Sequence, residues 1–217
     1  MRWLLYPLAG LLLGGCGLMG FGDDEDTGPQ PAALQEFDAT LPVTQLWRAD
    51  CGEGTGGARL ALGLATDGER LFCADHEGRV LAISIEDGRE LWRSETGLPL
   101  SGGPGIGAGR VVVGSADAHL VALDAADGSE LWRTRVSSEV LAAPAVTATV
   151  AAVQTADGRL VAHDADSGLR LWYYDTSVPA LSLRGTSPPL VVEDRVIAGF
   201  ANGKLAAFAL RDGRQFW

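Results

Sequence analysis

The chain has 217 residues, 47% of them hydrophobic and 21% charged, with 29 glycines, three cysteines and a formal net charge of −11. That charge excludes a nucleic-acid partner, because binding to a phosphate backbone draws on clusters of Lys and Arg.

The N-terminal segment reads as a targeting signal. Arg2 supplies a positive start, and residues 3–13 form an apolar run of eleven. As a helix that run rises about 16 Å, too little for a hydrocarbon core of about 30 Å, so residues 1–15 are predicted to be a signal peptide. Leu13-Gly14-Gly15-Cys16 resembles the lipobox of bacterial lipoproteins. The resemblance implies cleavage before Cys16 and acylation of its thiol and amine; an ordinary secretory signal with an incidental cysteine is the alternative. Several acyl chains on one residue anchor stably, at about 0.8 kcal/mol per buried methylene. Gly17 is not Asp, which by the bacterial sorting pattern resembles delivery to the outer membrane, on its periplasmic face. Residues 16–40, with Asp23-Asp24-Glu25-Asp26, Gly28, Pro29 and Pro31, read as the lipidated cysteine and a flexible acidic tether. The acid run lacks the ligand spacing and fixing glycine of a calcium loop, and no metal site is expected.

Residues 41–217 read as repeats. Trp47, Trp92, Trp132, Trp172 and Trp217 stand 45, 40, 40 and 45 residues apart, a period at which one sheet per repeat stacks on its neighbours. The last four each close the same phrase, at 82–92, 122–132, 162–172 and 207–217, in which a strand meets an Asp-Gly or Ser-Gly turn and a second strand ends on Trp. The turn glycines Gly88, Gly128, Gly168 and Gly213 supply the positive φ such a turn needs. Upstream runs such as 110–114 and 195–199 read as buried inner strands. One large Trp among small Ala and Gly suits a wedge between adjacent sheets. The expected fold is all-β, a β-propeller of four-stranded blades with four blades present. Segment 42–47 carries a Trp with no upstream hairpin, and reads as the lone strand that completes the last blade of a ring.

Cys51 and Cys73 are an even pair in an oxidising compartment, so a disulfide worth about 3 kcal/mol and two buried free thiols are both open readings. The run 52–57 fits Gly-x-Gly-x-x-Gly, yet 59–73 reads as strands broken at Asp67-Gly68, so no helix N-terminus follows to hold a pyrophosphate. The run 103–109 leads into Val111 and reads as loop and strand. His76, His119 and His163 fall at unlike repeat positions without a shared partner, and His163 takes the slot of Leu123, so a packed structural histidine is expected there. The serines lack a nucleophile-elbow context. No catalytic residue and no cofactor is expected.

One connection departs from the repeat. Trp92 to Pro104 and Trp132 to Pro144 are twelve steps, whereas Trp172 to Pro188 is sixteen. The enlarged segment, 177–187, carries Leu181 and Leu183 at a spacing of two, which predicts one face of an extended strand, with Arg184 beside them. Such residues on a loop suit anchoring to a partner; the alternative is a satellite cluster tucked under the loop.

The phrase Ala-x-Asp-x-x-(Thr/Ser/Asp)-Gly-x-x-x-Trp resembles the tryptophan-docking repeat of the pyrroloquinoline-quinone-like propellers across residues 43–217. It is complete at 122–132 and 162–172, while Ser84 and Ala209 replace the Asp elsewhere. Proteins of that kind have eight blades, which implies that these four are the N-terminal half of a longer ring. Leu-Ser-Leu-Arg-Gly at 181–185, after a Trp-closed blade in a lipobox-led propeller, is similar to the lipoprotein family of the outer-membrane β-barrel assembly machinery. This resemblance implies a scaffold that assists insertion of outer-membrane proteins, with Leu181, Leu183 and Arg184 contacting a POTRA domain of BamA. It further implies association with the barrel-assembly complex, outer-membrane lipid and unfolded outer-membrane proteins, and a second, acidic contact loop past Trp217. The rival readings are a quinone-dependent dehydrogenase, whose adjacent cysteine pair is missing here, and a propeller lipoprotein or sensor of another kind.

Replacing Cys16 with Ser should abolish acylation and leave the protein unprocessed or mislocalised. Incorporation of labelled palmitate surviving in that variant would contradict the anchoring assignment.

Overall fold

The computed structural model describes residues 32–36, 38 and 40–217. The predicted signal peptide 1–15, Cys16 and the tether through residue 31 lie outside the described residues. The chain divides into two units, 1–44 and Gln45–Trp217. The described residues of the first form no strand, and Leu34 and Leu41 among them are exposed.

The second unit holds sixteen strands in four sheets. Sheet I contains β2 (Leu64–Thr66), β3 (Arg70–Ala74), β4 (Arg79–Ser84) and β5 (Glu90–Glu95). Sheet II contains β6 (Leu100–Gly107), β7 (Arg110–Ser115), β8 (His119–Asp124) and β9 (Glu130–Arg135), with β1 (Ala61–Leu62) added parallel to β6. Sheet III contains β10 (Ala145–Val146), β11 (Val150–Gln154), β12 (Arg159–Asp164) and β13 (Arg170–Asp175), and sheet IV contains β14 (Leu190–Val192), β15 (Arg195–Gly199) and β16 (Leu205–Ala209). Apart from β1, neighbours within a sheet run antiparallel, because each is joined to the next by a short turn. β8 and β12 are buried on both faces between neighbouring sheets, and β4 is buried between sheet II and the segment of Ala49 and Cys51; Val80, Leu81 and Ala82 of β4 are all within 1% of full burial.

Three apolar layers fill the spaces between successive sheets. Phe72, Val80, Val111 and Leu123 pack between sheets I and II, Val112, Leu120, Val153 and Val161 between II and III, and Val150, Leu160, Val196 and Phe208 between III and IV. Each layer is closed at its outer margin by a tryptophan. The indole N–H of Trp92 donates to Ala125 O at 3.0 Å, that of Trp132 to Ala165 O at 2.9 Å and that of Trp172 to Leu210 O at 2.9 Å, so each Trp docks on the hairpin turn of the following sheet. The ring then lies on the turn glycine. A Cβ on Gly128, Gly168 or Gly213 would sit 2.5–2.6 Å from the Trp, and these glycines have φ of 70–77°. Ser or Asp at the position before the glycine completes the turn; Asp127 Oδ1, for example, accepts from the Ser129 amide at 2.9 Å.

The sheets depart from the expected four strands each in two places. Segment 61–66 serves two sheets, β1 joining β6 and β2 joining β3, so sheet II has five strands. Sheet IV has three full strands, and 215–217 lie along β16 through Phe216 N to Ala207 O at 2.8 Å and Ala207 N to Trp217 O at 3.0 Å. The 103–109 run, expected to begin as loop, belongs to β6 as far as Gly107. Its glycines admit the backbone of 140–146, since a Cβ on Gly105 or Gly107 would overlap Pro144 O or Val146 O. Segment 42–47, expected as a lone strand, forms no strand. Trp47 nevertheless docks as the others do, donating to Ile85 O at 2.8 Å and covering Gly88. Trp217 has no following turn within the chain and is 54% exposed.

The segment after Trp47 is fastened to sheet I. Cys51 and Cys73 form a disulfide, which closes one of the two readings left open above. The buried carboxylate of Asp75 accepts from the amides of Glu53, Glu77 and Arg79 at 3.0–3.1 Å and pairs with the Arg79 guanidinium at 2.7 Å. Burial alone raises its pKa, but those donors outweigh it and hold the carboxyl below the ordinary range. Its stability contribution is therefore present above the unfolded-state pKa of about 3.9 and is lost as pH falls through the lower folded value.

Two alanine substitutions separate backbone strain from docking. Gly97 and Gly168 share nearly the same φ, 69° and 71°, but a Cβ on Gly97 meets nothing within 4 Å while one on Gly168 meets Trp132 at 2.6 Å. Gly97→Ala should cost about 1–2 kcal/mol, and Gly168→Ala should approach the roughly 3–5 kcal/mol of losing a buried Trp. Denaturant midpoints measure both, and equal losses would contradict the docking.

Candidate functional site

The enlarged connection begins where β13 ends. Asn202 donates to Thr176 Oγ1 at 2.7 Å, fixing one end, and Ser187 Oγ donates to Gly199 O at 3.1 Å, fixing the other. Between them residues 177–189 form no strand. The expectation of an extended strand is therefore corrected: no neighbouring edge accepts this segment, and the chain bends at 180–181 and at Arg184.

Both leucines are open to solvent. Leu181 and Leu183 are each 95% exposed, so they do not tuck beneath the loop. Arg184 is turned back to the preceding connection, where its Nε and Nη2 donate to Glu139 Oε2 at 3.0 and 2.7 Å. Glu139 is itself placed by backbone pairing, as its carbonyl accepts from the Ala156 amide at 2.9 Å. Both partners are more than a third exposed, so this pair is worth about 0–1 kcal/mol. Its effect is positional: two successive interblade connections are bridged on one face, with two bare leucines beside the bridge.

A groove of about 970 Å3 opens there, bounded by Glu139, Gln154, Leu183, Arg184, Phe200 and Leu205. Gln154 is buried on its wall, donating to Gly199 O at 3.0 Å while its Oε1 has no partner. Sequence reading did not find Glu139 or Gln154. Neither breaks the repeat spacing, and only the loop length, which pointed to Arg184, led towards them. The histidines stay at separate turns and strands. His163 is buried with Nδ1 2.9 Å from Gly168 O, and burial first, then Arg170, holds its pKa below the ordinary range against the effect of that carbonyl. No cluster of three or more His, Cys, Asp or Glu that could hold a metal occurs among the described residues.

Stacked antiparallel sheets, each locked to the next by a Trp on a turn glycine, define a β-propeller of tryptophan-docking repeats. Comparison with known proteins makes the assignment more specific. The family model of outer membrane protein assembly factor BamB matches residues 42–97 and 76–217, and the chain belongs to this family. BamB of Pseudomonas aeruginosa is 55% identical over 187 residues, covering 86% of the chain and 49% of that protein. BamB of Escherichia coli is 36% identical over 232 residues, covering 100% of the chain and 58% of that protein. The crystal structure of BamB from Moraxella catarrhalis superposes with a TM-score of 0.66 at 27% identity, over 72% of this chain and 47% of that one. The chain thus spans about half the length of the relatives it matches.

Since the leucines contact solvent, Leu181→Asp with Leu183→Asp should leave the unfolding free energy within about 0.5 kcal/mol of wild type. A loss of several kcal/mol in a denaturant titration would mean that they pack against the fold.

Proposed function

We propose that the protein is a lipid-anchored scaffold of outer-membrane protein assembly, held at the periplasmic face through Cys16, and that loop 177–187 is its contact with a POTRA domain of BamA. The observation that carries this reading is the pair Leu181 and Leu183, 95% exposed beside an arginine oriented by Glu139. Two bare leucines on a loop are costly to leave in water and valuable when a partner covers them. The relatives from Pseudomonas aeruginosa and Escherichia coli are outer membrane protein assembly factors by name, which supports a scaffold over a quinone-dependent dehydrogenase. In this role the propeller performs no chemistry. Its blades fix the two ends of the loop, which reduces the ordering entropy lost on binding.

Each leucine covered at a contact contributes about 1.5–3 kcal/mol in transfer terms, and an arginine paired across the interface adds to that. Leu181→Ala, Leu183→Ala and Arg184→Ala together should therefore weaken binding to the POTRA region of BamA by at least a hundredfold at an unchanged thermal midpoint. Calorimetric titration of the folded triple variant measures this. Wild-type affinity would remove the loop from the interface.

A further inference from the structure

The internal repeat exposes a second departure, on sheet III and outside loop 177–187. His163 takes the slot held by Ile83, Leu123 and Phe208 in the other copies, Arg170 that of Glu90 and Glu130, and Tyr173 that of Arg93 and Arg133. In sheets I and II the acid and base close on each other, Glu90 with Arg93 and Glu130 with Arg133, both at 2.7 Å. Sheet III therefore replaces an apolar residue and a self-neutralised pair with an imidazole, a free guanidinium and a phenol.

A cavity of about 330 Å3 opens at this place, between β9 on one side and β12 and β13 on the other. Arg135, Arg159, His163, Arg170 and Tyr173 contribute to its wall, and no Asp or Glu does, in a chain of net charge −11. Arg159 is neutralised by Asp157 and Asp175. Arg135 and Arg170 form no ion pair among the described residues, and the Arg170 guanidinium lies 5.0 Å from the Tyr173 ring centroid, which holds it at the rim.

His163 sets the chemistry of the inner wall. The residue is 2% exposed, and its Nδ1 lies 2.9 Å from Gly168 O. A carbonyl only accepts, so Nδ1 carries the hydrogen and Nε2 carries the lone pair. That Nε2 is buried without a partner. A buried acceptor left unpaired is costly, and it calls for a donor from whatever fills the cavity.

We propose that this cavity binds a phosphate monoester or inorganic phosphate, its anionic oxygens on Arg135 and Arg170 and its remaining P–OH donating to Nε2 of His163. Arginine recognises phosphate oxygens through its planar fork. Inorganic phosphate keeps both an anionic oxygen and a hydroxyl near neutrality, and a monoester does so in its monoanionic form, at or below its second pKa of about 6. Sulfate and phosphodiesters have only acceptors to offer and leave Nε2 unpaired. The same chemistry could be presented by a soluble molecule or by a lipid bearing a terminal phosphate.

Calorimetric titration of the 217-residue chain with inorganic phosphate and with sulfate tests the site. Phosphate should bind at least tenfold more tightly than sulfate. His163→Leu, which installs the residue of the Leu123 slot, should reduce phosphate to the level of sulfate. Arg170→Glu, which restores the residue of the Glu130 slot, should abolish binding of both. In the wild-type protein, the His163 Nε2 resonance should shift on adding phosphate and stay in place on adding sulfate, a readout that needs no variant to fold. Co-sedimentation gained when phosphatidic acid is added to phosphatidylcholine vesicles, and lost in His163→Leu, would place the ligand on a lipid; binding of free phosphate without that gain would make it soluble. Equal affinity for phosphate and sulfate, an unmoved Nε2 resonance, or no response to either phosphate or phosphatidic acid overturns the proposal.

Discussion

The contact on which the rest of this structure depends is an indole resting on a glycine. A single sheet of this repeat has two apolar faces and cannot bury both alone. The Trp at the end of one sheet solves this for its neighbour by capping the apolar layer and donating its N–H to a turn carbonyl of the next sheet, as Trp132 does to Ala165 O. The glycine beneath is required twice, by its φ near 70° and by the ring that occupies the place of a side chain. Contacts of this kind at Gly128, Gly168 and Gly213 order the sheets in one direction, and the one at Gly88 seats Trp47 on sheet I.

Once the sheets are locked, their connections become fixed addresses on the faces of the propeller. Two of them, around Glu139 and around Arg184, are brought together by the order of the blades and joined by an ion pair. Four extra residues in the second connection are enough to project Leu181 and Leu183 into solvent without disturbing β13 or β14. In this way the stability of the blades and the proposed recognition by the loop are kept on separate residues, which is how a repeat scaffold tolerates specialisation at one site.

The sheets, their turns and the docking tryptophans were legible in the sequence because the repeat states each of them four times. What escaped were features with no second copy to compare. The glycines of β6 read as loop because glycine usually marks one; here they clear space for the backbone of 140–146, a packing demand that composition does not reveal. The double service of 61–66 depends on which sheet each half meets. Exposure of Leu181 and Leu183 rested on whether the loop folds back, which spacing alone left open. Glu139 stands in an ordinary connection and gains its role from a residue 45 positions away. His163 stood out in the sequence only as a packed histidine in the slot of Leu123; its convergence with Arg170 and Tyr173 on one cavity required the register of β12 against β13 and the approach of β9.

The most direct test of blade-to-blade docking is hydrogen exchange at the tryptophan indole N–H groups, resolved by nitrogen-15 nuclear magnetic resonance. Trp92, Trp132 and Trp172, whose donors are buried in hydrogen bonds to the following sheet, should be protected to the level of the core amides of β4, β8 and β12. Trp217 should exchange as freely as an exposed indole. Exchange at Trp132 and Trp172 as fast as at Trp217 would contradict the account, because the blades would then be held by something other than the indole on the glycine.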